Sequence, residues 1–126
     1  MSTSRQTELQ GTHVLVVDDD QISRQLLRSA LEFAGATVTA TNAIDALRVT
    51  LIADVIVCDL TSAELAGPQF LDHLQKLHVR AGRQATIMAV VPAGTRSARV
   101  RAAGFESYLM RPVGANGLRA AVWMAR

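Results

Sequence analysis

The chain is predicted to fold as an α/β domain, a doubly wound (βα)5 three-layer sandwich around a five-stranded parallel sheet. Three observations lead there. Short apolar runs rich in β-branched residues, such as HVLVV and DVIVCD, show no polar alternation, the pattern of strands buried on both faces. Segments with apolar residues at helical spacing lie between them. The two kinds alternate along the whole chain, which specifies right-handed βαβ units and a sheet covered on both sides. A length of 126 residues, with 49% hydrophobic and 19% charged, suits one domain with one core.

Residues 1–11 carry no periodicity and read as a flexible lead-in, leaving 12–126 as the folded domain. HVLVV (13–17) is the first strand. The helix over 20–35 has Asp20 as its cap, Gly35 as its stop, and Ile22, Leu26, Leu27, Ala30, Leu31 and Ala34 as its apolar face. ATVTA (36–40) is the second strand. A helix over 42–52, capped by Asn42, places Ile44, Leu47 and Leu51 on one side.

DVIVCD (54–59) is the third strand, and LTSAELAG reads as a loop. The helix over 67–78 has Pro68 in its first turn, where a missing N–H does no harm, and buries Phe70, Leu71, Leu74 and Leu77. RAGRQ is a polar connection to a fourth strand at 85–91. A short helix over 95–104, a fifth strand at 106–110 and a last helix over 115–125 complete the alternation.

Composition excludes several classes. The single cysteine, Cys58, forms no internal disulfide, and no Cys/His cluster has zinc spacing. No apolar run reaches the roughly 18 to 20 residues that span a bilayer, and MSTSRQTELQ lacks the apolar stretch of a secretory signal, so a cytoplasmic protein without membrane contact is expected. A net charge of +2, spread along the chain, gives no footprint for nucleic acid.

In a parallel sheet every strand points its C-terminal end to one edge, and ligands bind there where the strand order reverses. The first strand delivers Asp18 and Asp19 to that edge, the third delivers Asp59, and the fifth delivers Arg111. Carboxylates crowded into a partly desolvated cleft repel by several kcal/mol at an effective dielectric of about 20 unless a cation neutralises them. Mg2+ suits such a nest, and its preference for a few carboxylates and phosphate oxygens points to phosphoryl chemistry.

The stretches VLVVDDD, DVIVCDLTSAELAGPQFL and AAGFESYLMRPV, in this order and spacing, resemble the receiver domain of two-component response regulators, a flavodoxin-like fold. LQGTHVLVVDD also resembles receivers attached to hybrid histidine kinases. The resemblance implies that Asp59 is a phosphoacceptor for a phosphohistidine donor, a histidine kinase or a histidine phosphotransfer protein. It implies Mg2+ held by Asp19 directly, by Asp18 through water, by Asp59 and by the backbone carbonyl of Thr61. Arg111 stands at the family's lysine, Gly67 at its loop glycine, and Pro112 at its proline, where a cis bond is expected. Tyr108 stands at the family's rotating aromatic, and Arg96, Arg99 and Tyr108 would form the partner surface. Homodimerisation through the last two helices is also compatible with the resemblance, and no turnover substrate is implied.

Three departures bear on switching. Arg111 is a planar fork where lysine is a compact charge. The strand-four position that carries a family hydroxyl is Ala89, Val90 or Val91, with Val90 taken as the switch position, and none has a hydroxyl. Ser62 and Ala63 replace Met-Pro after Asp59, and the lost proline is expected to leave that loop freer. The chain therefore reads as a phosphorylatable switch with weakened switching, or as a degenerate receiver serving as a phosphorylation-independent interaction module. A haloacid dehalogenase-like phosphatase would need a second acid where Thr61 stands. Elsewhere, Cys58 reads as a small core residue, Trp123 and Phe105 as packing anchors, His13, His73 and His78 as surface or interface residues without chemistry, and Arg96, Arg99 and Arg101 as a solvated helix face.

Overall fold

The computed structural model describes residues 7–126. Strands β1 (His13–Val17), β2 (Thr37–Thr41), β3 (Val55–Asp59), β6 (Thr86–Val91) and β7 (Tyr108–Met110) form one sheet in the order β2-β1-β3-β6-β7, with every pair parallel. The helices are α1 (Gln21–Phe33), α2 (Ala43–Ala46), α3 (Leu60–Ala66), α4 (Phe70–Leu77), α5 (Ser97–Ala102) and α6 (Ala115–Ala125). This is the doubly wound architecture anticipated from the alternation of elements.

Side chains alternate across a strand, so each strand feeds two cores. Leu15, Val17, Ile56, Cys58, Ala89 and Val91 pack against Ala43, Leu60, Phe70, Leu74 and Val100, which puts α2 to α5 on one face. Val14, Val16, Val55, Val57 and Val90 pack against Leu27, Leu31, Leu118 and Val122, which puts α1 and α6 on the other. Phe105 is an anchor of the first core, as expected, whereas Trp123 is 41% exposed and carries Arg126 over its ring at 4.8 Å.

Several local expectations are corrected. Residues 1–6 of the lead-in lie outside the described residues, but 7–11 are docked. Leu9 is fully buried, its N–H bonds the Ala34 carbonyl, and Glu8 pairs with Arg119. Burying a leucine contributes about 2 kcal/mol, enough to hold so short a segment down. Ile22 and Leu26 of α1 are exposed, because the sheet reaches only the stripe through Ser23, Leu27 and Leu31. The helix expected over 42–52 is a single turn. It buries Ala43 and Ala46 and leaves Ile44, Leu47 and Leu51 outside; the β-branched pair Val49-Thr50 disfavours its continuation. Leu77 is likewise exposed at the end of α4.

RAGRQ is more than a connection. Strands β4 (Val79–Arg80) and β5 (Arg83–Gln84) pair antiparallel across Ala81 and Gly82, both at positive φ (53° and 77°), the signature of a two-residue hairpin turn. The LTSAELAG loop is mostly helix: with Ala63 in place of proline, nothing removes the N–H bond or clashes at that turn, and α3 forms directly on Asp59. Gly67 ends it at a φ of 101°, in the left-handed region.

His13 and His78 are buried, against expectation, while His73 is exposed. His13 bridges the Ile52 carbonyl (2.9 Å) and the Thr39 hydroxyl (2.7 Å). His78 Nδ1 accepts the Ala53 N–H at 2.9 Å, which requires that nitrogen to be unprotonated, and Nε2 has no partner among the described residues. Burial, and secondarily the neighbouring His13, lower the His78 pKa below the ordinary 6.5. A depressed native pKa means that the unfolded chain binds the proton more readily. The stability this neutral imidazole contributes is therefore complete above about pH 6.5 and is lost as pH falls through the native value. Thermal unfolding from pH 7.5 to 5 should show a falling midpoint, and His78→Asn, which retains an acceptor for Ala53, should flatten that slope.

Candidate functional site

The site is built at the C-terminal edge of the sheet, around β1 and β3, where strand order reverses. Asp18 follows β1 and is 1% exposed. Its backbone N–H bonds Thr41 of β2, while its Oδ1 takes the Asp20 N–H at 3.0 Å and its carbonyl takes Arg24 Nη1 at 2.8 Å. Asp20 caps α1 through the Ser23 N–H (3.0 Å). Asp19 is exposed; its Oδ1 accepts the Ala43 N–H at 2.8 Å and so caps the turn of α2 across the cleft.

Asp59 ends β3 and begins α3. Its Oδ2 accepts both the N–H and the hydroxyl of Ser62, each at 2.9 Å, and its Oδ1 faces Arg111. Arg111 follows β7, anchored by its N–H to the Val91 carbonyl at 2.8 Å. One guanidinium nitrogen donates to Asp59 Oδ1 (3.1 Å) and Asp18 Oδ2 (3.3 Å), and the other to Ser23 Oγ (2.8 Å). The Arg111–Pro112 bond is cis, as anticipated. The three acids and the cation expected at this edge are thus brought together, although Arg111 touches Asp18 and Asp59 and not Asp19.

Asp18, Asp19, Asp20, Asp59, Thr61, Ser62 and Arg111 line one cleft of about 590 Å3. Hard carboxylate oxygens around an open cleft fit a divalent cation in kind. As arranged, those oxygens hold internal donors, and among the described residues no group of three or more His, Cys, Asp or Glu side chains is disposed as a metal site. Thr61 lies in the first turn of α3, where a helical carbonyl is directed at the amide four residues on, that of Leu65. An ion would compete with Arg111 for Asp59 and Asp18, and at Thr61 it would use the carbonyl lone pair that a helical hydrogen bond leaves unused.

Val90 is fully buried and lies opposite Asp59 in the ladder; Tyr108, on β7, is 37% exposed. Arg96 and Arg99 sit at the start and within α5. Arg99 is not a free solvated side chain, since its guanidinium grips Glu64 of α3 at 3.0 and 2.6 Å, which holds the Glu64 carboxyl below its usual range. Cys58 is inert core: burial first, then the charges of Asp59, Asp18 and Asp19, push its thiol far above the ordinary range. Sequence reasoning missed Ser62 and Ser23 as parts of the site, and Glu64 as the partner of Arg99. Part of the signal was present: an aspartate ahead of helix-forming residues is an N-cap pattern, which brings the residue three positions on, Ser62, to its carboxylate, whereas the hydroxyl contact had no local signature.

A five-stranded parallel sheet with an acidic cleft over its switch point, and an aspartate at the tip of the central strand, defines a flavodoxin-like α/β domain. The chain belongs to the response regulator receiver domain family, whose profile matches residues 14–123, and is thereby a receiver of two-component signalling. It is 32% identical over 111 residues to Regulator of RpoS of Escherichia coli K12, covering 83% of this chain and 32% of that protein; it thus spans about a third of that relative's length. It is 36% identical over 104 residues to an uncharacterized 14.6 kDa protein in the sodA1 3′ region of Leptolyngbya boryana, covering 79% of each. The receiver domain of Francisella response regulator 1452 shares the fold at a TM-score of 0.71 and 24% identity, over 90% of this chain and 95% of that one. No helix among the described residues is long and apolar enough to cross a membrane.

Stripping the partner from a buried charge costs about 3 to 5 kcal/mol, and less when that partner is partly solvated. Arg111 is 33% exposed and its pair Asp18 is 1% exposed. Arg111→Met should therefore lower the unfolding free energy by about 2 kcal/mol at neutral pH, measured by urea denaturation without divalent ions.

Proposed function

We propose that Asp59 accepts a phosphoryl group from a phosphohistidine of a histidine kinase or histidine phosphotransfer protein. The observation that carries this is the asymmetry of its carboxylate: Oδ2 is held by two donors from Ser62, while Oδ1 faces the cleft and Arg111. In the transfer, an Oδ1 lone pair forms the new O–P bond, and the P–N bond breaks with its electron pair leaving on the donor's imidazole. Arg111 meets the charge on the phosphoryl oxygens. Asp19, Asp18, Asp59 and the Thr61 carbonyl are the proposed Mg2+ ligands, and the ion would neutralise carboxylates and phosphoryl group together. The domain is a switch rather than an enzyme with its own turnover substrate, and its proposed location is cytoplasmic.

A donor docks most readily over α1. Exposed Ile22 and Leu26 lie next to an apolar groove lined by Leu26, Ala30, Ala93, Pro112 and Val113, which reaches Arg111 itself. Arg96, Arg99 and Tyr108 remain the proposed output face, and self-association through α5 and α6 is compatible with it. Phosphorylation by acetyl phosphate in Mg2+, read by intact mass, should add one phosphoryl group to the wild type and none to Asp59→Asn. Equal labelling of the variant would refute the assignment.

A second reading, a receiver that binds partners without phosphorylation, draws support from two features. Ala89, Val90 and Val91 offer no hydroxyl to a phosphoryl group, and Arg111 already closes the carboxylates into an internal ion pair. A ligand shifts a two-state equilibrium only by its differential affinity. Without that hydrogen bond, of roughly 1.5 to 3 kcal/mol to a charged group, the shift is reduced. NMR with beryllofluoride should show changes concentrated around Asp59; large changes at α5 and Tyr108 would overturn weakened switching.

A further inference from the structure

We propose that the hydroxyl of Ser62 sets how long a phosphoryl group remains on Asp59, by donating to the oxygen that regains charge when the group leaves. This inference rests on Asp59 being the phosphoacceptor. Ser62 is 2% exposed, and its oxygen sits between two fixed partners. The Asp19 N–H, at 3.0 Å, can only donate, and the Asp59 carboxylate, at 2.9 Å, can only accept. The hydroxyl proton therefore lies on the line to Oδ2.

With Oδ1 carrying the phosphoryl group, Oδ2 becomes the carbonyl oxygen of an acyl phosphate, a weak acceptor. In hydrolysis a water oxygen forms a bond to phosphorus, the Oδ1–P bond breaks, and its electron pair returns to the carboxylate; the displaced water proton passes to solvent. Charge then grows on Oδ2, where the hydroxyl and N–H of Ser62 already point. Donors that strengthen as charge develops lower the barrier, and they need no reorganisation. The same donors stabilise the free carboxylate over the acyl phosphate. Ser62 thus shortens the phosphorylated state, and it does so from α3, the helix that the missing proline permits.

Ser62→Ala removes the hydroxyl while the residue-62 N–H still caps Asp59. Ser62→Thr retains both donors. Each protein would be phosphorylated with radiolabelled acetyl phosphate in Mg2+, desalted, and followed for loss of label, with thermal unfolding as a check that each variant folds. The expected result is decay about tenfold slower in Ser62→Ala, the lower end of what one hydrogen bond to a charged group carries because the charge on Oδ2 is only partly developed in the transition state, and near wild-type decay in Ser62→Thr. Decay in Ser62→Ala as fast as wild type, or equal slowing in both variants, would overturn the role of the hydroxyl while leaving Asp59 as acceptor. Absence of label on the wild type would instead remove the acceptor assignment, and this inference with it.

Discussion

The ion pair network of Arg111 with Asp18 and Asp59 is the constraint on which the site depends. A parallel sheet sends its strand ends to one edge, so acids placed at the ends of β1 and β3 are necessarily neighbours. Asp18, almost wholly out of water, would be costly as a lone charge. Arg111 answers both acids with one nitrogen and ties the arrangement to Ser23 with the other. A planar fork can bridge in this way where a single ammonium offers one compact charge, so the arginine alters how the acids are held as well as keeping their charge balance.

Asp59 consequently serves two structures. One oxygen belongs to the cleft, and the other is the N-cap of α3, whose Glu64 reaches Arg99 of α5. Replacement of the restrictive Met-Pro pair by Ser62-Ala63 has not loosened this segment. It has let the chain choose helix, because Leu, Ala and Glu favour it and an aspartate stands ready to cap it. The cleft and the N-cap of α3 therefore share one carboxylate, so that a change in what Asp59 holds at one oxygen bears on the helix at the other.

What could be read directly from residues was the periodic part of the molecule. HVLVV and VIVCD are strands because runs this short and this rich in β-branched residues suit a sheet buried on both faces, and Asp20 and Asn42 cap helices because their side chains accept the orphan amides three residues on. The convergence of Asp18, Asp59 and Arg111 followed from topology alone. Less legible were features whose partners lie far along the chain. Leu9 is in the core because Ala34 receives its N–H, and His13 and His78 are interior because Ile52, Thr39 and Ala53 meet their rings. The extent of α2 turned on which face of a short helix the sheet could reach, and small Ala43 and Ala46 fitted where Ile44 did not.

By itself the sequence determined the layer order, the parallel sheet and the acidic edge, since these rest on periodicity and strand direction, which are local properties repeated along the chain. Only the tertiary structure decided which oxygen of Asp59 caps the helix through Ser62 and which faces the cleft and Arg111, that Arg111 bridges Asp18 and Asp59 while Asp19 turns to Ala43, and that Ser62 stands between Asp19 and Asp59. Those choices depend on hydrogen-bond distances between residues dozens of positions apart, set when the elements pack, and no local pattern encodes them.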